Sequence, residues 1–386
     1  MGSNLRVGIV VPRFSPYKGG IETYVASAAA ALAAEGAEVT VVTQVPGAAD
    51  LPRREKCNGY AVERHRLPIA GIFDLPAPSA ALATAQHGRF DVVWVHSYHT
   101  PLAWLAAERA VSPIVLTPHY HGVGHTPLRQ AIHRLYRPAG RRLMAACRQI
   151  VVDTDAEAAL VLRDFPGQVN PGRITVVPPV VADPVVGDRP RPGAEILVLT
   201  VSRQEPYKRT ELLVRAFAEL RNRGTPARLV VVGDGPALAS SRALAARLGV
   251  GDTVRFTGAV SDEELRRWWA SASLYATASS QEAFGIGLAE ALAAGLPVVA
   301  SDIPAHREVI RRAGPDVAAQ LCPTSGTDAE SATRYADGIG RLLPAVAGRS
   351  ERAARCALPS PDKIIEQLLV TLTAASDQRT ADAVTR

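Results

Sequence analysis

Residues 279–301 of this chain read SSQEAFGIGLAEALAAGLPVVAS. The pattern predicts a loop that enters a helix, a helix end at Gly295 and then a buried strand. Glu282 would lie just before the helix and Glu290 inside it. Free backbone N–H groups at the helix start favour a phosphate or another anion, and nearby carboxylates suit sugar hydroxyls. Taken alone, the stretch has an alternative interpretation as an amphipathic helix with two surface glutamates.

Strands and helices alternate through both halves of the chain. RVGIVVP and AEVTVVTQ read as strands of the first half, and EILVLTVS and ARLVVVG as strands of the second. Continuous apolar strands separated by helices indicate parallel sheets that are covered on both faces. The sequence therefore predicts an α/β fold with two facing Rossmann-like domains and a deep cleft between them.

The length of 386 residues exceeds one comfortable core, which favours two domains. The stretch 182–194 is rich in Pro, Gly and charge and is typical of a linker. The predicted domains are therefore residues 1–182 and residues 195–359. A final amphipathic helix at about 360–376 is expected to cross back to the first domain.

The net charge of +6 fits an anionic partner, yet no basic module of a nucleic-acid binder is present. The basic segment 133–149 is interpreted as a solvated helix face, with contact to an anionic membrane as the alternative. Four cysteines without metal-type spacing are typical of reduced thiols. Without a signal peptide or a spanning apolar run, we expect a cytoplasmic protein, with peripheral contact at the inner membrane face kept as an alternative.

Two further loops of the second half directly follow predicted buried strands. Arg203 and Lys208 lie in SRQEPYKRTELL, where open α/β sheets bind ligands and where two cations would neutralise a diphosphate. Gly233 and Gly235 in VVVGDGP would let the backbone approach a ligand closely. Loop solubility and a plain tight turn are the alternatives for these pieces taken singly. The spacing is not that of a dinucleotide fingerprint, so NAD is not expected.

The first half carries its own polar loops. Gly19 and Gly20 stand between the first strand and a helix, a turn that tolerates anions. Histidines cluster at two predicted strand ends, namely His96, His99, His119, His121 and His125. Hydrogen bonding to substrate hydroxyls is the favoured interpretation, and a structural polar rim is the alternative. No metal site is expected, because neither an H-E-x-x-H helix nor a cysteine partner is present.

Together these motifs resemble the family-four retaining glycosyltransferases of the GT-B fold, known as glycosyl transferases group 1, along essentially the whole chain. The resemblance is carried by PYKGGIETYV, TPHYHG, SRQEPYKRTELL, VVGDGP, FTGAVSDEEL and the stretch that opens this section. It implies an N-terminal domain that binds the acceptor and a C-terminal domain that binds the nucleotide-sugar donor. It also implies a metal-independent reaction without a separate cofactor, with a UDP- or GDP-sugar as donor substrate.

The resemblance also implies roles for individual residues. Arg203 and Lys208 would grip the donor diphosphate, Glu282 would bind hydroxyls of the donor sugar, and Glu290 would hold the ribose. The remaining implied site residues are Phe284, Gly285 and Ile286, whose backbone would meet sugar and phosphate; Gly19 and Gly20 near the phosphates and the acceptor; Gly233 near the donor; and His119 at the reaction centre. The sequence departs from the family pattern at Arg209, Ala283 and Ala278, and these departures bear on turn geometry and donor choice.

The implied reaction moves a hexose or hexosamine to a hydroxyl of a glycan, a glycolipid or a small natural product, with retention of the anomeric configuration. No carboxylate can be assigned as the nucleophile of a double displacement. Alternatives are a nucleotide-sugar epimerase of GT-B-like fold and a catalytically silent binding protein. The acceptor, the donor sugar and base, the linkage and the oligomeric state are left open.

Overall fold

A computed structural model describes residues 5–17, 19–46, 49–67, 77–122, 127–181 and 196–384. For residues 127–135 and 378–384 it describes the backbone alone. The predicted linker at 182–194 and His125 lie outside the described residues. Contacts divide the chain into two compact units, one of residues 1–180 with 360–386 and the other of residues 181–359.

The first unit alternates strands with helices, as its apolar pattern requires. Its elements are β1 (Arg6–Val10), α1 (Gly20–Ala34), β2 (Glu38–Val45), β3 (Arg54–Cys57), β4 (Tyr60–Arg66), α2 (Pro78–Ala83), β5 (Val92–His96), α3 (Pro101–Arg109), β6 (Ile114–Thr117), α4 (Pro127–Ala146), β7 (Gln149–Val152), α5 (Asp155–Asp164) and β8 (Ile174–Val176). In the described part of the chain these strands form one sheet in the order β3-β4-β2-β1-β5-β6-β7-β8. Every pair is parallel except β3 with β4.

One antiparallel pair, β3 with β4, stands at the edge of this otherwise parallel sheet. Asn58 and Gly59 form a two-residue connection between β3 and β4, and both have positive φ angles, of 48° and 84°. Asn-Gly is the pair that such a hairpin favours, because both central residues need a left-handed backbone. The dipeptide is therefore the sequence signal for this hairpin.

The last helix also packs in the first unit. That helix, α13, spans Pro361–Val384. Its buried Ile364, Leu368 and Leu372 share a core with α1 and with β1, β2 and β5. A second core on the opposite face joins the sheet to α3, α4 and α5.

The second unit repeats the alternation. Its elements are β9 (Ile196–Val201), α6 (Thr210–Asn222), β10 (Ala227–Val232), α7 (Leu238–Arg247), β11 (Val254–Gly258), α8 (Asp262–Ser271), β12 (Leu274–Thr277), α9 (Ile286–Ala293), β13 (Val298–Ser301), α10 (Pro304–Ala313), β14 (Ala319–Cys322), α11 (Asp328–Leu342) and α12 (Arg349–Arg355). The described strands form a parallel sheet in the order β11-β10-β9-β12-β13-β14, with apolar cores on both faces.

Strand order fixes where ligands can bind in each unit. In the second sheet the order runs outward in opposite directions from β9 and β12, so the loops that follow these two strands diverge at a switch point. In the first sheet the same reversal falls between β1 and β5. Ligands of open α/β sheets bind at such points, beyond the carboxyl ends of the strands. Among the described helices none is both long and apolar enough to cross a bilayer.

Candidate active site

The loop after β9 is held rigidly by a buried glutamine. The Gln204 side chain donates from Nε2 to the Ser202 carbonyl at 2.9 Å, and its Oε1 accepts from the Thr210 hydroxyl at 2.7 Å. A short 3-10 turn, Pro206–Lys208, follows and sets the direction of the Lys208 side chain. The N–H of Ser280 donates to the Tyr207 carbonyl at 2.8 Å, which ties this turn to the loop after β12.

Lys208 and Glu282 form an ion pair across the switch point. Lys208 Nζ lies 2.5 Å from Glu282 Oε1, and each side chain is only 15% exposed. Burial alone would lower the pKa of Lys208, but the charge and hydrogen bond of Glu282 outweigh it and raise that pKa. Burial likewise acts to raise the pKa of Glu282, while Lys208, His306 and the Ser279 side chain together lower it overall. Both groups are therefore charged at neutral pH.

The start of α9 is open to an anion. Gly285 caps the helix with φ of 101°, a backbone conformation that glycine adopts without strain. No described group accepts a hydrogen bond from the N–H groups of Gly285, Ile286 and Gly287. The positive end of the helix dipole falls at the same place. Phe284, in contrast, buries its ring in the core and leaves only its backbone to the site.

Glu290 is half-buried inside α9 and has no ion-pair or hydrogen-bond partner for its carboxylate among the described residues. Burial raises the pKa of Glu290 to about 7. Burial is the largest cause that raises the pKa of Tyr275 on β12, and the charges of Glu282 and Glu290 raise it further. Both carboxylates therefore lie near the same tyrosine. A carboxylate that titrates near neutrality and lacks a partner is a marker of a functional site.

Arg203 is the more available of the two predicted cations. Its side chain is 39% exposed and lies 3.7 Å from Glu205, beyond hydrogen-bond distance. Its charge also acts on the pKa of Lys208, which places the two cations near each other. The structure thus gathers Arg203, Lys208, Glu282 and the free N–H groups of α9 at one end of one sheet.

The glycines after β10 pack against the loop that carries Arg203. A β-carbon at Gly233 would lie 2.0 Å from the Ser202 carbonyl oxygen, and one at Gly235 would lie 2.6 Å from that of Gln204. Both residues also have positive φ angles. Close approach of backbone to backbone therefore explains these glycines before any ligand is considered.

In the first unit, His119 is held at both ring nitrogens. Its Nδ1 lies 3.0 Å from Asp153 Oδ2, and its Nε2 lies 3.2 Å from Nδ1 of His96. Because a carboxylate oxygen can only accept, Nδ1 of His119 carries the hydrogen of its bond to Asp153. His96 is fully buried. Burial, and to a smaller extent the charge of His119, lowers the pKa of His96 well below the ordinary value. His119 also has a positive φ of 48°.

The other predicted groups of the first unit lie on neighbouring loops and helix starts. Gly19 is extended and Gly20 is the first residue of α1, and Glu22 in the first turn of that helix pairs with Arg13 at 2.5 Å. His99 and His121 stack with ring centroids 5.0 Å apart. In the described chain no group of three or more His, Cys, Asp and Glu side chains could hold a metal ion.

Sequence reasoning missed Asp153 and His306. Asp153 directly follows the buried strand β7, and polar residues at that position were the available signal. His306 lies in the first turn of α10, the helix that follows β13, and it is fully buried beside Gly285. Neither residue belongs to a short motif, so only the spatial position of the strand ends identifies them.

Comparisons with known proteins agree with this arrangement. The family model described as "Glycosyl transferases group 1" matches residues 187–341, and the one described as "Glycosyltransferase Family 4" matches residues 18–183. HepE from Anabaena, solved in complex with UDP-glucose, has a TM-score of 0.70 and 18% identity, and covers 96% of this chain and 100% of its own. At that identity the likeness shows the fold alone, the two-domain α/β architecture of GT-B proteins.

The sequence relatives share a higher sequence identity with this chain than HepE does. A D-inositol 3-phosphate glycosyltransferase from Streptomyces avermitilis is 32% identical over 330 residues, which cover 74% of this chain and 68% of the relative. A GDP-mannose-dependent alpha-(1-6)-phosphatidylinositol monomannoside mannosyltransferase from Mycobacterium tuberculosis is 30% identical over 358 residues, covering 88% and 89%. The chain belongs to glycosyltransferase family 4. The predicted family and the predicted fold class are thereby confirmed.

Proposed function

We propose that this protein is a retaining hexosyltransferase that moves a hexose or hexosamine from a nucleoside-diphosphate sugar to an acceptor hydroxyl. The Lys208–Glu282 ion pair beside the open start of α9 is the observation that carries the proposal. A cation and three free N–H groups suit a diphosphate, and the adjoining carboxylate suits sugar hydroxyls. The family membership of the chain supports the same reaction class.

The donor is a UDP- or GDP-sugar in this proposal. The name of the M. tuberculosis relative specifies GDP-mannose, and HepE was solved with UDP-glucose. In this chain Glu290, which has no described partner for its carboxylate, would hold the ribose hydroxyls, and Arg203 with Lys208 would bind the phosphates. Gly233 contributes the loop that keeps Arg203 in place.

In the proposed reaction the bond between the anomeric carbon and the phosphate oxygen breaks, and its electron pair goes to the diphosphate. The acceptor oxygen forms a bond to the same face of the sugar, and its proton goes to the leaving phosphate. Arg203, Lys208 and the start of α9 stabilise the negative charge of the leaving group where it develops. Because these groups are positive and already in place, the reaction needs neither a divalent cation nor a cofactor.

The first unit supplies the acceptor side of the proposal. Gly19 and Gly20 would contact the acceptor, and His119 would lie at the reaction centre. Asp153 and His96 contact the two ring nitrogens of His119 and thereby fix the orientation of its ring. The backbone of His119 has a positive φ angle, which is strained for a residue other than glycine. The names of both sequence relatives contain an inositol compound, so inositol phosphate and phosphatidylinositol glycosides are the first acceptors to test.

A panel of UDP- and GDP-sugars, each tested with and without these acceptors, checks the function. We expect one nucleotide sugar to raise the melting temperature and to yield a glycoside with the α or β configuration of its donor. A product of opposite configuration would contradict the retaining mechanism. A sugar changed without acceptor would indicate an epimerase, and a chain that binds no nucleotide sugar would refute the proposal.

A further inference from the structure

His306 lies directly behind the start of α9. It is the third residue of α10, and its side chain is fully buried. A β-carbon added at Gly285 would lie 3.2 Å from Cδ2 and 3.4 Å from Nε2 of His306. The edge of the ring that carries Nε2 therefore faces the residue that caps α9.

Hydrogen bonding fixes the proton on the other ring nitrogen. Nδ1 of His306 lies 2.9 Å from the Ser301 carbonyl oxygen, which can only accept. Nδ1 therefore carries a hydrogen, and Nε2 carries one only when the ring is a cation. Nε2 is buried and has no hydrogen-bond partner in the described part of the chain. Ser301 also donates to the Ser279 carbonyl, which links this ring to the loop of Glu282.

Two charged groups act on the ring from other elements. Burial lowers the pKa of His306, the charge of Glu282 raises it, and the charge of Lys208 lowers it again. On α10 itself, Arg307 pairs with Asp302 at 2.8 Å and Glu308 pairs with Arg312 at 2.7 Å. In the ligand-free chain Lys208 already balances Glu282, so the ring is neutral near pH 7.

The proposed function requires the Lys208–Glu282 pair to serve two parts of one donor. A diphosphate attracts Lys208, whereas the sugar hydroxyls need Glu282. When Lys208 turns toward phosphate, Glu282 loses its partner in a site where its side chain is only 15% exposed. An uncompensated charge at such a depth is costly, so another cation is needed. The unpartnered Nε2 of His306 is the adjacent position where one can form.

We propose that His306 is a positioning residue that takes a proton from solvent at Nε2 when a nucleoside diphosphate draws Lys208 away from Glu282. This inference rests on the proposed donor site. The imidazolium then balances Glu282, which stays charged and free to hold the sugar. Both the departure of the Lys208 charge and the arrival of the phosphate charge favour the protonated ring.

Glu290 would exchange protons with the opposite sign. A ribose hydroxyl donates best to the ionised carboxylate, so nucleotide binding releases protons from Glu290 near neutral pH. The Glu290→Gln variant removes this contribution and leaves that of His306.

Calorimetric binding of UDP and of GDP, in buffers of different ionisation enthalpy near neutral pH, measures the proton count. In the Glu290→Gln background we expect uptake of a fraction of a proton per nucleotide bound. His306→Asn keeps an amide N–H toward the Ser301 carbonyl but cannot be protonated, and it should abolish the uptake. In the same background, His306→Asn should also remove the decline of nucleotide affinity with rising pH that the Glu290→Gln protein shows. His87→Asn, a change at an exposed histidine, is the matched control and should keep the uptake.

Equal uptake with and without His306→Asn in the Glu290→Gln background would overturn the inference, even if the variant were less stable. If His306→Asn does not fold, His306→Gln serves for the same measurement, since its amide is likewise neutral. Failure of the parent to bind UDP or GDP would instead refute the proposed donor site. The two failures are thus distinguishable.

Discussion

At the scale of single residues, Lys208 and Glu282 show why site residues cannot be assigned one at a time. They are 74 positions apart, and each stabilises the charge of the other. Removing either leaves a half-buried charge behind. A loss of activity in one single variant would therefore mix a structural effect with a functional one.

A double-mutant cycle separates these effects. Lys208→Ala should lower the free energy of unfolding by about 1–3 kcal/mol, because Glu282 loses its partner. Lys208→Ala with Glu282→Gln should recover most of that stability, since no unpaired charge remains. Transfer should fall about a hundredfold or more in all variants, because a group that stabilises the transition state is gone. Urea unfolding and initial rates measure both quantities, and recovery of activity in the double variant would contradict the assigned roles.

Glu290 predicts a particular pH dependence of stability. Its pKa of about 7 lies above the ordinary value of 4.5, so the folded chain holds this proton more tightly than the unfolded chain. The resulting stability is fully present below about pH 4.5 and is lost as the pH rises through 7. We expect Glu290→Gln to remove a decline of the order of 1–3 kcal/mol between pH 5 and 8, by difference from the parent in urea unfolding. Parallel pH curves for the two proteins would show that Glu290 titrates normally.

At the scale of elements, the strand and helix pattern predicted most of the fold. The helix after Glu282 begins at Ile286 and contains Glu290, and Gly295 follows its end with φ of 71°, as the sequence indicated. Such elements are predictable because period and end residues are local. Ion pairs, the burial of His306 and the contact of Asp153 with His119 depend on which strands become neighbours, and no local pattern records that.

Helix capping shows what a short motif can and cannot decide. Ser261 and Glu264 have the spacing of a reciprocal capping box at α8, and there the structure shows the bond from the Glu264 N–H to the Ser261 hydroxyl without the reciprocal one. The complete box lies at α11 instead, between Thr327 and Glu330. The motif fixes which groups can pair, whereas the rotamer of a solvated glutamate decides whether the second bond forms.

The residue before α6 has an unusual backbone conformation with a measurable effect. Arg209 is left-handed, with φ of 52°, a conformation that glycine adopts without strain. Its side chain pairs with Asp328 at 3.1 Å. Arg209→Gly should leave the free energy of unfolding nearly unchanged, because relief of backbone strain offsets the lost pair. Arg209→Ala keeps the strain without the pair and should cost about 1 kcal/mol in urea unfolding. Equal losses in both variants would mean that the backbone there is unstrained.

At the scale of the whole molecule, the two units have separate cores, and α13 belongs to the first of them. Leu368 on this helix is fully buried, whereas Val370, two positions later, is 64% exposed. A chain segment that begins at residue 360 thus completes a core whose other parts lie before residue 181. Loss of the packing of α13 should therefore lower the stability of the first unit more than that of the second.

Leu368→Ala tests that expectation. The cavity should lower the stability of the first unit by about 2–5 kcal/mol, while Val370→Ala, the matched control, should change it little. Hydrogen exchange with peptide-level detection reads each unit by itself. We expect faster exchange in β1, β2 and β5 and unchanged exchange in β9 and β10. Equal acceleration in both sheets would show that the chain unfolds as one cooperative body.

The hairpin that ends the first sheet has a consequence for behaviour in concentrated solution. Strand β3 presents Arg54, Glu55 and Lys56 in succession along the outer border of the sheet. A border with unpaired amides invites strands of other molecules, and charged side chains oppose such stacking. By turning the chain at Asn58 and Gly59, the hairpin places this short charged strand alongside β4, and we expect it to oppose association of the sheet edge with strands of other molecules.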